Sequence, residues 1–480
     1  MSRPDYDAVV VGAGPNGLAA AITLQRAGLS VLIIEAKNTV GGGMRTQALT
    51  LPGFLHDVCS AIHPMAAASP FLQQLPLDRF GLEYIHPPLC AAHPFDNGDA
   101  AMLDRSLENT AAALGADADA YRALFDPLIR RWPLLAHDAL GPLRFPRHPL
   151  YMAQFGLKAM SPALTLANRF LTAKARGLWG GMAAHSVVPL NYISTSAIGL
   201  VLTTAGHTTG WPLPRGGSVR LAEAMADYFE TIGGKIETGM PVSTLSQLPS
   251  ARALLFDLTP RQLLSIAGHK FSETYRRQLE RYRYGPGVFK VDWALDGPVP
   301  FINEDCRRAG TVHLGGTLEE IAFSESEVWK GRHVDKPFVL LAQQSLFDPT
   351  RAPLGKHTAY AYCHVPNGST LNRTAVIEQQ VERFAPGFRD RILARHVMDT
   401  AALESYNANY IGGDINGGAI DFRQLFTRPV LRASPYRTSA RGMYLCSAST
   451  PPGGGVHGLC GYYAARRAIR DLFTRSSTRS

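Results

Sequence analysis

The sequence predicts an α/β chain built on a Rossmann-type dinucleotide unit, and three observations carry that prediction. An apolar run, Ala8 to Val11, feeds directly into Gly12, Ala13, Gly14, Pro15, Asn16 and Gly17. A helix-like stretch, Ala19 to Ala27, follows and is closed by Gly28. A second apolar run, Leu29 to Ile34, then ends on Glu35. Short continuous apolar runs are the mark of strands buried on both faces of a parallel sheet. A strand–turn–helix–strand order around a GxGxxG turn is the dinucleotide-binding pattern.

Each residue of that turn has a physical task. Gly12 permits the tight turn, Gly14 lets the backbone approach a pyrophosphate, and Gly17 lets the helix lie against the strand. Pro15 and Asn16 open the helix, whose N-terminus offers free N–H groups and a positive dipole end to phosphate. Glu35, with Ala36 beside it, stands roughly 20 residues on, where an acid accepts hydrogen bonds from ribose hydroxyls.

At 480 residues the chain is too long for a single core, so two or more packed subdomains are expected. Its 46% hydrophobic and 18% charged residues exclude disorder. The net charge of +9 suits several classes of anionic partner and selects none of them. The six cysteines, Cys59, Cys90, Cys306, Cys363, Cys446 and Cys460, form no CxxC pair, so neither a zinc site nor a redox dithiol is indicated. Scattered thiols and a first strand close to Met1 point to a cytoplasmic protein without a signal peptide. No apolar run reaches membrane-spanning length, the longest candidate being Ile193 to Ala205.

Directly after Glu35 comes Val40, Gly41, Gly42, Gly43, Met44, Arg45 and Thr46. This resembles the second glycine motif of the phytoene desaturase and amine oxidase superfamily of FAD enzymes. Further stretches extend the resemblance over nearly the whole chain: YGPGVFKVDWALDGPVPF (284–301), TVHLGGTLEEIA (311–322), HVPNGS (364–369) and GGDINGG (412–418). Within that superfamily the chain resembles bacterial phytoene-dehydrogenase-like proteins related to pyridine nucleotide-disulphide oxidoreductase domain-containing protein 2. The resemblance implies FAD as cofactor and a glutathione-reductase-like FAD domain with an inserted α+β substrate domain.

On that basis Gly42, Gly43 and Arg45 are expected along the diphosphate and flavin. The helix Val219 to Phe229 and the strand within Gly233 to Val242 complete the FAD domain, with Val242 at the adenine. A third glycine-rich turn, Ser447 to Gly458, lies between a strand at Met443 to Cys446 and a helix at Tyr462 to Leu472. It resembles the C-terminal flavin loop, which brings Gly455, Val456 and His457 to the isoalloxazine. Ser447 and its neighbours stand where amine oxidases carry an acid, a departure that favours the desaturase branch. The FAD domain is thus assigned to 1–91, 211–266 and 429–480, and the substrate or cap domain to 92–210 and 267–428. The first insertion reads as mostly helical and the second as mixed.

Lys290 and Asp292 alternate with Phe289, Val291 and Trp293, so they share one strand face. The segment resembles the amine oxidase strand whose lysine is held near flavin N5, which makes Lys290 the first catalytic candidate. The competing reading is a Lys290–Asp292 surface pair on an edge strand. His457 is the second candidate, as a proton carrier or stabiliser of reduced flavin, against a loop histidine packed under the cofactor. No metal-ligand cluster is present in the sequence.

The expected reaction is hydride transfer at flavin N5 that desaturates, saturates or isomerises an apolar small molecule. Oxygen or a quinone serves as acceptor, since no separate nicotinamide site is visible. Amine oxidation and a flavin-holding role with little turnover stay open as alternatives. Residues 121–180 are strongly basic with apolar residues interleaved, which reads either as peripheral contact with an anionic membrane or as a solvated helical face. Nucleic acid is not expected, because no recognition module accompanies the charge.

Overall fold

In the computed structural model, residues 4–425 and 427–474 are described. Residues 1–3, 426 and 475–480, the outermost of which were expected to belong to the cofactor domain, lie outside them.

Five strands form a wholly parallel sheet in the order Met443–Leu445, Ala251–Phe256, Tyr6–Val11, Val31–Ile34, Lys235–Glu237. From the central strand Tyr6–Val11 the chain goes to Val31–Ile34 on one side and later returns to Ala251–Phe256 on the other, the switch-point topology that opens a crevice at the carboxyl ends of strands. The helix Pro15–Gln25 begins four residues before the predicted Ala19, because Pro15 already holds helical φ at the first position. It stops at Gln25, ahead of the predicted Ala27, and Gly28 turns the chain at a φ of +80°. The C-terminal helix Leu459–Leu472 packs along this first helix. Gly461 allows that approach, since a Cβ there would overlap the Asn16 carbonyl.

A second, seven-stranded sheet runs in the order Ile392–Met398, Gly287–Leu295, His357–Val365, Val339–Ala342, Ala309–Leu314, Leu89–Pro94, Ala100–Leu103. It is antiparallel except between Ala309–Leu314 and Leu89–Pro94. The boundary drawn at 91/92 falls inside the strand Leu89–Pro94, so this sheet takes two strands from the edge of the helical insertion. Gly287–Leu295 is buried at every residue and paired on both sides, so the edge-strand placement considered for Lys290 is corrected. Such a strand gains its apolar character from the layers above and below it, not from water on one face.

The helical insertion includes Ala118–Ala139, Pro149–Ala159, Ala173–Ala184 and Thr195–Thr208. Tyr121, Leu124, Phe125, Leu128, Trp132 and Leu135 recur at helical spacing and line the buried face of the first of these. The apolar run around Ile193 to Ala205 is the core helix Thr195–Thr208. Among the described residues no helix is long and apolar enough to cross a membrane.

The basic run at 121–180 is less free than its sequence suggests. Arg122 pairs with Glu108 and Asp119, Arg130 with Asp126, Arg144 with Asp138, Lys174 with Asp99, and Arg176 with Glu319. Of the interleaved aromatics, Trp132, Phe155 and Trp179 belong to the core.

Candidate functional site

The carboxyl ends of four strands of the parallel sheet converge on one cavity of about 660 Å³. Val11 and Gly12, Ile34 and Glu35, Asp257, and Ser447 arrive there from successive strands. Gly12 holds a φ of +103°, a conformation that glycine adopts at no steric cost. A Cβ on Gly14 would stand 2.8 Å from Asp257 Oδ2, so the bare backbone leaves the crevice open. On Gly17 a Cβ would overlap the Gly12 carbonyl, which is the close helix–strand packing expected of the third glycine.

Glu35 is braced for its position. Its Oε2 accepts from Ala13 N–H at 2.8 Å and its Oε1 from Lys37 N–H at 2.9 Å. The buried Arg45 guanidinium donates to Glu35 Oε1 at 3.1 Å and to the Thr39 carbonyl at 2.6 Å. The second glycine loop docks on the first through Gly41 N–H to Ala13 O, at 2.8 Å. There Gly42 lies so close that a Cβ would meet Gly14 Cα at 3.1 Å. A Cβ on Gly43 would overlap the Tyr410 hydroxyl.

Of the residues predicted for the cofactor, Gly12, Gly14, Pro15, Asn16, Glu35, Ala36, Gly42, Gly43, Arg45, Val242, Ser447, Gly455 and Val456 all line this cavity. Gly17 stands behind it, with its N–H donating to Asp257 Oδ2 at 2.9 Å. Neither Lys290 nor His457 is among the lining residues.

The Lys290 ammonium is ion-paired with Asp292 in the interior and sits 4.4 Å from the centroid of the Tyr360 ring. Two imidazoles flank the same carboxylate, His56 at 3.7 Å and His396 at 3.6 Å. Burial raises the Asp292 carboxyl, but Lys290 and its other neighbours outweigh that and hold its pKa below the usual value. His457 spends both ring nitrogens on backbone: Nδ1 accepts from Leu459 N–H at 3.0 Å, and Nε2 faces the Gly453 carbonyl at 3.2 Å. Burial lowers its pKa to about 4, so the ring is neutral and fixes the glycine loop.

Sequence reasoning missed Asp257, Thr259, His63, Cys59, Tyr406, Asn409 and Tyr410, all of which line the cavity. Asp257 was findable, since it follows an apolar strand just as Glu35 does. Its burial lifts its pKa to about 7. His63 Nε2 lies 2.8 Å from Ser218 Oγ, whose own proton goes to the Ser60 carbonyl. The imidazole therefore donates from Nε2, and burial keeps it neutral with a pKa of about 4. Tyr406 ends the short helix Thr400–Tyr406, and Asn409 and Tyr410 follow it in a turn without a periodic signal, although the neighbouring GGDINGG stretch carried the family resemblance.

A crevice at the switch point, free of Cβ atoms at its glycines, suits a bound dinucleotide. The buried Asn16 Oδ1 there has no partner of its own. Apolar Ile62, Met65 and Val456 also line the cavity. Fold and site together define a Rossmann-type dinucleotide-binding protein. Residues 10–75 match the NAD(P)-binding Rossmann-like domain. The chain is 31% identical to a limonene dehydrogenase subunit of Castellaniella defragrans, over 97% of this chain and 95% of that protein. It is 27% identical to mouse (Mus musculus) pyridine nucleotide-disulfide oxidoreductase domain-containing protein 2, over 98% and 94%. A solved putrescine oxidase triple mutant shares the fold at a TM-score of 0.64 and 19% identity, over 98% and 99% of the two chains. The chain belongs to the FAD-dependent phytoene desaturase and amine oxidase superfamily, and its cofactor is FAD.

Proposed function

We propose that this protein is an FAD-dependent oxidoreductase that desaturates, saturates or isomerises a largely apolar small molecule, of the isoprenoid hydrocarbon kind. The observation that carries the reading is the mixed lining of the cavity. Bare glycine backbone with braced polar groups shares it with apolar Ile62, Met65 and Val456. The name of the limonene dehydrogenase relative supports a hydrocarbon substrate. FAD, when bound, supplies the acceptor or donor of a hydride.

The chain's own residues bind, orient and exclude water. The N-terminus of Pro15–Gln25 and the N–H groups of the two glycine loops face the diphosphate. Glu35, fixed by Ala13 and Arg45, meets the ribose hydroxyls, and Val242 meets the adenine. Gly455 and Val456 border the isoalloxazine, with the His457 ring holding their loop. Lys290 is assigned here to the support of the substrate-domain sheet beneath the site. Oxygen or a quinone is the proposed electron acceptor.

The test is anaerobic mixing of the holoprotein with a panel of isoprenoid hydrocarbons and of amines, following flavin absorbance. Bleaching by a hydrocarbon and recovery on adding a quinone supports the reading. Bleaching by amines alone, or by neither class with a flavin that also resists photoreduction, refutes it.

A further inference from the structure

Isolated apolar side chains on a surface are ordinary, but a contiguous group of large ones marks an interaction site. Such a group lies within residues 143–157. Leu143 and Phe145, in the loop before the helix Pro149–Ala159, are 68% and 85% exposed, and Leu150 and Leu157 on that helix are each 78% exposed. Leu150 and Leu157 are seven residues apart, two helical turns, and so share one stripe. The opposite stripe is anchored, with Phe155 and Ala159 in the core. The helix is thus held from beneath while its outer face presents leucines to solvent.

The surrounding sequence is basic, with no acidic residue between Leu143 and Arg169. Asp138 pairs with Arg144 and accepts from the Arg147 N–H, but among the described residues the Arg147, Lys158 and Arg169 side chains form no salt bridge. Burial and the like charges of Arg169 and Arg131 hold the Lys158 pKa below its usual value. Arg131 itself is bonded to Gln154 at 2.6 Å and lies over the Tyr151 ring, on the same helix. Apolar side chains that project from a ring of unpaired cations complement a surface that is anionic outside and apolar within.

We propose that residues 143–157, with Arg147, Lys158 and Arg169, dock the protein on an anionic lipid bilayer. Leu143, Phe145, Leu150 and Leu157 enter the acyl boundary, while the cations meet headgroup phosphates. Pro149–Ala159 packs on Thr195–Thr208, which in turn packs on Pro64–Ala67 at the cavity wall. The docking face is therefore one helix away from the wall of the cavity. The proposal stands apart from the reading of the flavin site, and either can fail alone.

The test is co-sedimentation of the FAD-loaded protein with phosphatidylglycerol–phosphatidylcholine vesicles and with phosphatidylcholine vesicles alone. The wild type should prefer the anionic vesicles and should be released by salt. Each buried leucine or phenylalanine contributes about tenfold or more to partitioning, and each surface cation about fivefold. F145S/L150S/L157S should therefore lose detectable binding. R147Q/K158Q/R169Q should fall by on the order of a hundredfold and lose its salt dependence. Of these side chains only Lys158 is partly buried, and unchanged thermal midpoints and FAD content verify that the variants fold. Equal binding to both vesicle types, or variants that bind like the wild type, overturns the proposal. So does a wild-type dimer in size-exclusion chromatography that F145S/L150S/L157S converts to monomer, since the patch would then belong to a second copy.

Discussion

Lys290→Met separates a flavin-side lysine from a buried structural one. The ammonium is 2% exposed and its partner Asp292 is fully buried. Among the described residues Asp292 Oδ2 makes no hydrogen bond and the flanking imidazoles stand at 3.6 and 3.7 Å, so Lys290 is the nearest partner of that carboxylate. Removing one member of a buried ion pair costs about 3–5 kcal/mol, because the other charge is left unpaired in low dielectric. Loss of the cation over Tyr360 adds about 1 kcal/mol. His56 offers partial relief. Burial first, and then Lys290 and Arg351, push its pKa down to about 4. Without Lys290 the imidazole takes a proton more readily and repays part of the loss in mild acid. The expected result is a destabilisation of about 3 kcal/mol or more in urea titrations at pH 8, smaller at pH 6. Lys290→Met/Asp292→Asn should be more stable than the sum of its single variants by about 2 kcal/mol or more. Flavin reoxidation by oxygen in folded Lys290→Met should stay within about threefold of wild type, roughly 0.6 kcal/mol in barrier. Additive single variants would refute the buried pair. Tenfold slower reoxidation would return Lys290 to the flavin.

Three further outcomes follow from the same geometry. Gly14→Val should give colourless protein that cannot be loaded with FAD, because its Cβ would stand 2.8 Å from Asp257 Oδ2 and fill the crevice; normal flavin content would overturn the assignment. His56, His63, His93, His185, His207 and His457 all have pKa values lowered by burial, so the folded state binds fewer protons than the unfolded one. Their contribution is full above pH 6.5 and is lost as pH falls towards 4, by up to about 2 kcal/mol per imidazole at pH 5; a urea midpoint unchanged between pH 7 and pH 5 would contradict it. Asp257 has the opposite sign, since its pKa is raised by burial to about 7. Its stabilising protonated form is lost as pH rises through 7, so Asp257→Asn should gain stability over wild type in apoprotein at pH 8 and lose that advantage at pH 4.

Where structure depends on neighbours in sequence, the sequence was readable. The strand Tyr6–Val11, its glycine turn and the acid after Ile34 are local, and all but Gly17 of the cofactor residues named from them line the cavity. Period-2 alternation placed Lys290 and Asp292 on one face but could not say what covers that face. Here His56 arrives from another segment, and the strand His357–Val365 supplies Tyr360. The basic run is likewise only partly readable, because sequence does not show which of its cations find distant partners. Lys174 finds Asp99 and Arg176 finds Glu319, partners far away in the chain. Asp257 shows the remedy, since the search for an acid at a strand end applies to every strand of the sheet and not only to the second.

The order of the parallel sheet has a consequence for biosynthesis. Its central strand, Tyr6–Val11, pairs with Ala251–Phe256, and that strand pairs with Met443–Leu445. The first glycine turn leaves the ribosome early, yet Ser447, Gly455 and Val456, which share its cavity, are made more than 400 residues later. A nascent chain must therefore hold an open sheet edge and an unfilled crevice through most of its synthesis, the state in which domains with distant pairings are most exposed to misassembly. FAD can grip both ends of the chain only after they have met. At a hundredfold excess over its dissociation constant, a ligand that binds only the finished fold stabilises it by about 2.7 kcal/mol. Flavin supply thus becomes a control on how much of the newly made protein survives, before it has turned over a single substrate.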